Sequence, residues 1–267
     1  MAGHIFKIDN HVLHYYRYGN GAKYMLAFHG FGLTGECFKP ICEVLKKEYT
    51  IISFDLFYHG KSHWGTPDRK LTKKYWNKLL ATFLKELDID NFSILAFSLG
   101  GKFALATLEQ FPKRVNEMMM LAPDGIQTQI WYNLATYPVA FQTYFKSMIV
   151  KPNRFFNILD LIKKMGLLDK GISKFAASQM NSIKKRRRVY YSWVVFKDLT
   201  FDLKKIAQLI NENNIGFTMY LGAYDKIITK EGMKKLTSKL KTQETKVLDC
   251  GHNNLIDHTA AFLDQNR

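Results

Sequence analysis

This 267-residue chain is short of cysteine, of acidic side chains and of long hydrophobic runs, and each shortage closes off a class of protein. Cys37, Cys42 and Cys250 are odd in number and lack metal-ligand spacing, which excludes a disulfide framework and leaves three reduced thiols. No apolar run approaches the roughly 20 residues that a membrane-spanning helix needs. Met1 to Asn10 has no apolar core of the secretory kind, so a cytoplasmic chain without a transmembrane segment is expected. No His, Cys and carboxylate cluster has metal-binding spacing and no glycine-rich phosphate cradle is present, so neither a metal nor a cofactor is expected. Asp and Glu number 23 against 39 Lys and Arg, a net charge of +16, which favours acidic partners through long-range attraction. The one dense basic run, Lys184-Lys185-Arg186-Arg187-Arg188, has no nucleic-acid-binding motif around it. It reads as a solvated helical face, making at most weak contact with polyanions or an anionic membrane, with no specific nucleic-acid partner.

What is present is enough apolar material for a full core, 47% of the residues, arranged as strands alternating with helices. Ile5 to Ile8 and Val12 to Tyr18, separated by Asp9-Asn10, read as an edge hairpin closed by the Gly19-Asn20-Gly21 turn. Tyr24 to Phe28, Tyr49 to Leu56, Ile94 to Phe97 and Val115 to Leu121 read as strands, with helices from Phe38 to Lys47, from Thr72 to Asp88 and after Ser98. From Ile126 to about Leu199 the rhythm changes to aromatic-rich helical segments, Trp131 to Tyr144, Arg154 to Met165 and Lys170 to Val195. Alternation then resumes: helix Leu203 to Asn211, strand Gly216 to Leu221, helix Lys230 to Leu240, strand Thr245 to Leu248 and helix Leu255 to Leu263. The fold class is α/β, with a mostly parallel central sheet flanked by helices.

The stretch Ile94 to Leu105 organises the rest. An apolar strand breaks at Ser98, between the small residues Ala96 and Gly100, and resumes with helical spacing. A serine at such a turn has its hydroxyl pushed out above the sheet, and the N–H groups after it open a helix, where a developing negative charge is favoured. This stretch resembles the nucleophile elbow of the α/β-hydrolase superfamily, Gly-x-Ser-x-Gly, with Ala96 in place of the first glycine. Two more strand ends carry a carboxylate and a histidine in the order that family uses. Asp225 stands in Gly222-Ala223-Tyr224-Asp225, and His252 in Asp249-Cys250-Gly251-His252-Asn253. The resemblance implies Ser98 as nucleophile, His252 as base and Asp225 as its orienting acid. Asp124, at the end of the Val115 to Leu121 strand, is the alternative acid. His29-Gly30-Phe31-Gly32 resembles the family's His-Gly-x-x segment, which implies backbone N–H groups of Phe31 and Leu99 as the oxyanion hole. Asp55 to Ser62 resembles the Asp-x-x-Gly-x-Gly-x-Ser signature in part and implies a structural role. His4, His11, His14, His59, His63 and His258 lack such a setting and are expected at the surface or behind the site.

The resemblance implies a core domain of residues 1–125 and 200–267 with a helical cap, 126–199, inserted in it. It also implies a cofactor-independent serine esterase acting on a small, apolar ester or related acyl substrate through an acyl-enzyme. Trp131, Tyr132, Phe141, Tyr144, Phe145 and Trp193 are candidates to line the pocket. Two other readings share the fold and the triad, a menaquinone-pathway-type lyase acting on an anionic substrate and a non-catalytic ligand receptor.

Overall fold

The amino-terminal hairpin pairs β1 (Gly3–Ile8) with β2 (His11–Tyr18), and the chain reverses at Asp9-Asn10, where Asp9 has a φ of +50°. The hairpin therefore closes there and not at Gly19 to Gly21, which leads out of β2. Asp and Asn tolerate the left-handed backbone that a two-residue reversal demands. A computed structural model describes residues 3–67, 69–127, 136, 138–166 and 170–266.

The remaining elements follow in order. β3 (Lys23–Phe28) leads through a 3-10 turn at Gly35–Phe38 to α1 (Lys39–Leu45), β4 (Tyr49–Phe54), α2 (Lys73–Glu86), β5 (Phe92–Phe97), α3 (Gly100–Gln110) and β6 (Val115–Leu121). Four helices follow, α4 (Val139–Ser147), α5 (Asn153–Lys164), α6 (Lys170–Met180) and α7 (Ile183–Val195). The chain closes with α8 (Leu203–Glu212), β7 (Gly216–Gly222), α9 (Lys230–Thr237), β8 (Glu244–Leu248) and α10 (Leu255–Gln265). The segment expected to be helical from Lys170 to Val195 is two helices, because Ser182 turns extended and its hydroxyl caps the N–H of Lys185 at 3.3 Å.

The sheet has eight strands in the order β1-β2-β4-β3-β5-β6-β7-β8. Only the pairs involving β2 are antiparallel; every pair from β4 onward is parallel. Continuous apolar strands such as Phe92–Phe97 follow from this, since β4 and β5 are buried at every residue and must face helices on both sides. α1 packs on α10 as one layer, and α2, α3 and α8 form another. Between sheet and helices lies an aromatic core: Phe28 stacks on Phe54 at 5.5 Å, and the rings of Trp76 and Phe103 meet edge-on at 5.1 Å. The indole N–H of the fully buried Trp76 donates to Thr107 Oγ1 at 3.0 Å, so the polar atom carried into that core is satisfied.

The chain divides into two compact units. One is Met1–Thr66, Leu71–Gln127 and Leu199–Arg267, and holds the whole sheet; the other is Pro67–Lys70 and Thr128–Asp198, and holds α4 to α7. Within the second unit the basic run is only partly a solvated face. Arg186 donates to the carbonyls of Ile149 at 2.8 Å and Met180 at 3.0 Å, Lys185 to that of Ser178 at 3.0 Å, and Arg188 to Gln179 Oε1 at 2.8 Å. These three side chains are half-buried; Lys184 and Arg187 alone of the run are exposed.

Candidate active site

Ser98 sits between β5 and α3 with a φ of +49°, a left-handed backbone that costs a β-carbon residue about 1–3 kcal/mol. The strain is held by three hydrogen bonds. The N–H of Ser98 donates to Leu121 O at 3.0 Å, and its carbonyl accepts from Gly101 N at 2.8 Å and Asp124 N at 2.7 Å. Such a turn brings strand and helix backbones together, and a β-carbon on Gly100 would lie 1.8 Å from the Phe28 carbonyl oxygen. That position admits only glycine, which is the physical reason the motif needs it.

His252 follows β8 in a 3-10 turn, and its imidazole lies against the ring of Phe97, 4.9 Å between centroids. Its Nε2 is 3.0 Å from Ser98 Oγ and its Nδ1 2.6 Å from Asp225 Oδ2. Asp225 stands in the turn after β7, with its side chain fully buried. Its other oxygen, Oδ1, accepts from the N–H groups of Ile227 and Ile228 at 2.8 and 2.9 Å, so the carboxylate has one oxygen left for the imidazole. Three side chains from three strand ends thus form one chain of hydrogen bonds, acid to base to hydroxyl. Asp124 lies outside it: one oxygen accepts from Gly125 N at 2.7 Å and the other is 3.9 Å from Lys102 Nζ.

The segment Gly30-Phe31 runs alongside the serine, since a β-carbon on Gly30 would be 3.3 Å from Ser98 Cβ and 2.8 Å from the Phe97 ring. Its path is fixed by His29. Leu56 N–H can only donate, so His29 Nε2 accepts from it at 3.0 Å, and Nδ1 therefore carries the proton and donates to Gly30 O at 2.7 Å. His59 packs on the other side, its ring 5.2 Å from His29 and 5.3 Å from Phe31. Leu99 is the residue before α3; in the first turn of that helix the N–H groups of Gly101 and Lys102 donate back to the carbonyls of Ser98 and Leu99 at 2.8 and 3.1 Å.

Behind the site Asp55 is wholly buried and accepts from Gly35 N, Lys61 N and the His14 ring at 2.8 to 2.9 Å. His14, His11 and His59 are buried, so none of the three is a surface residue; His14, on Asp55, and His59, against His29 and Phe31, take the other expected place, behind the site. His11 stacks on Trp64 at 3.8 Å. The pairing of His14 with Asp55 joins residues 41 apart in sequence, and no local signal announces it. The three cysteines are free thiols, and burial pushes the pKa of each up, helped at Cys250 by Asp225 and Asp249, so none approaches a thiolate nucleophile. Among the described residues no His, Cys and carboxylate group is arranged to hold a metal, and no helix is long and apolar enough to cross a membrane. Of the aromatics expected to line a pocket, Phe145 packs on Tyr190 and Trp193 at 5.4 and 5.5 Å, while Phe141 and Tyr144 are exposed. Trp131 and Tyr132 lie outside the described residues. Two open surface grooves, of about 430 Å³ along α8 and about 470 Å³ along α9, are lined by none of Ser98, Asp225 and His252.

Residues 23–259 match the family model described as alpha/beta hydrolase fold. The chain belongs to the α/β hydrolase fold family. The uncharacterized hydrolase YugF of Bacillus subtilis is 25% identical over 169 residues, 61% of this chain and 61% of that protein. Putative esterase/lipase 3 of Mycoplasma pneumoniae is 29% identical over 107 residues, 38% of this chain and 37% of that protein. The match thus spans less than two thirds of either relative. A solved structure of MGS-M2, an alpha/beta hydrolase enzyme from a Medee basin deep-sea metagenome library, has a TM-score of 0.71 at 16% identity, over 98% of this chain and 95% of that one. At that identity the likeness is one of fold.

Proposed function

We propose that this α/β hydrolase is a cofactor-independent serine esterase that cleaves a small, apolar carboxylic ester or related acyl substrate. The observation that carries the reading is the placement of His252 between Asp225 and Ser98, with contacts of 2.6 and 3.0 Å. Asp225 accepts from Nδ1–H, which leaves Nε2 unprotonated toward the serine. As Ser98 Oγ attacks the ester carbon, its proton passes to Nε2, and the carbonyl oxygen becomes an oxyanion facing the N–H groups of Phe31 and Leu99. Two such donors contribute about 3 kcal/mol each to the transition state. The imidazolium then gives its proton to the departing alkoxide, leaving Ser98 acylated. A water deprotonated by His252 attacks the acyl carbon, the acid leaves, and the proton returns to Oγ.

The similarity to a relative named as an esterase/lipase supports ester cleavage over the other reactions of the fold. In this reading residues 126–199 are a helical cap that makes the acyl side of the pocket apolar and excludes water. The test is a panel of p-nitrophenyl esters of graded acyl length run beside a fluorophosphonate label. Wild type should be labelled and should gain about 0.8 kcal/mol per accommodated methylene until the pocket is full. Ser98→Ala should lose both label and turnover with an unchanged circular dichroism spectrum. Retained labelling in that variant would refute the nucleophile. Release of pyruvate from a cyclohexadiene carboxylate without ester turnover would move the reaction to the lyase class.

A further inference from the structure

The positive charge of the chain is unevenly placed. Residues 128–198 contain thirteen Lys and Arg against three Asp, whereas the rest of the chain has twenty-six against twenty. Much of the basic run in α7 is spent on internal carbonyls, as described above, so the charge available at the surface lies elsewhere in the same unit. It gathers around α5. From Lys146 to Gly166 there are five basic side chains and one acid, Asp160, which is 3.5 Å from Lys163. Lys151, Lys163 and Lys164 are exposed, while Arg154 is held over the Tyr144 ring and on Ser147 Oγ.

The same helix carries more apolar surface than its packing uses. Leu159 faces inward and is buried. Ile158, Leu161 and Met165 fall three and seven residues apart on a stripe of their own and are 38%, 59% and 61% exposed, and Val150, just before the helix, is 74% exposed. A run of exposed aliphatic side chains bordered by lysines is the pattern of a helix that lies in a bilayer interface, apolar side down and ammonium groups level with the phosphates.

We propose that α5, with Val150 before it, docks this protein on an anionic phospholipid bilayer. Ile158, Leu161 and Met165 seat among the acyl chains, and Lys151, Lys163 and Lys164 meet the phosphate headgroups. Charge argues for this occupant over a second copy of the chain, since two copies of one basic face repel.

Sedimentation of the full chain with phosphatidylcholine vesicles, with and without one quarter phosphatidylglycerol, tests the proposal without any readout of catalysis. Binding is expected to the mixed vesicles and to fall at least tenfold on pure phosphatidylcholine, and several-fold when salt is raised from 0.1 to 0.5 M. Leu161→Glu with Met165→Glu should cost at least tenfold while the thermal melt stays as in wild type. If that variant unfolds, Lys151→Gln with Lys163→Gln and Lys164→Gln must show the same loss. The proposal is overturned if the wild type stays in the supernatant, if both variants sediment as wild type does, or if centrifugation shows a dimer that Leu161→Glu dissolves.

Discussion

The carboxyl ends of the strands and the helices α4 to α7 solve the problem of holding polar groups in opposite ways. At the strand ends the backbone supplies the answer: two N–H groups hold Asp225, two hold Asp55, and a carbonyl with one N–H fixes His29. In the unit that holds α4 to α7, carbonyls of Ser178, Ile149, Met180 and Thr136 are answered by long flexible side chains, Lys185, Arg186 and Lys197. Burial with Lys70 close by lowers the pKa of Lys197, so even a well-bonded cation there is held against desolvation. A constellation that must keep its distances to a few tenths of an ångström rests on turns that few residue types can make. A helix array tied by side chains accepts many sequences.

The sharpest way to break that comparison is at Asp225, the acid of the proposed triad. Asp225→Asn leaves the shape but gives the His252 imidazole the wrong partner, and kcat should fall about 10⁴-fold. Asp124→Asn, in contact with Lys102 and not with His252, should cost less than about tenfold. Steady-state rates on one ester check both, and a crippling Asp124→Asn beside a mild Asp225→Asn would exchange their roles. The next effect is one of stability. Gly100→Ala drives a β-carbon against the Phe28 carbonyl and should cost about 3 kcal/mol in urea unfolding. Gly166→Ala, at a φ of +70° with nothing within 4 Å, should cost only the backbone strain of about 1 kcal/mol. Equal losses would show that the elbow is no more tightly built than a helix end in the second unit.

These contrasts explain what could be read from the chain before folding. Ser98, Asp225 and His252 each sit where a strand meets a turn that constrains its neighbours, so the local sequence carries the signal. The alternation of strands and helices is similarly legible, because a parallel sheet covered on both faces needs unbroken apolar strands. The hairpin reversal was less so: Asp9-Asn10 and Gly19 to Gly21 are both competent turns, and only the pairing of β1 with β2 decides between them. His14 on Asp55 and His59 against His29 are contacts across the fold, and nothing within a few residues of either histidine foretells them. Five adjacent basic residues suggest solvent by composition, but a helix turns 100° per residue and carries two or three of any five inward.

That last point gives the smallest expected effect. Arg186 and Arg187 are neighbours of the same type, so propensity and chain entropy cancel between them. Arg186 reaches two backbone carbonyls, and truncation would leave both to find water. Arg187 only overlies the ring of Tyr191 at 6.0 Å from an exposed position. Arg186→Ala should therefore destabilise the protein by about 1–2 kcal/mol and Arg187→Ala by under about 0.5 kcal/mol. Urea unfolding followed by tryptophan fluorescence, with Trp193 in the same helix as reporter, would measure the difference. Matching midpoints for the two variants would return the whole run to the solvated face its composition suggests, and would remove side-chain ties as the means by which this unit is held.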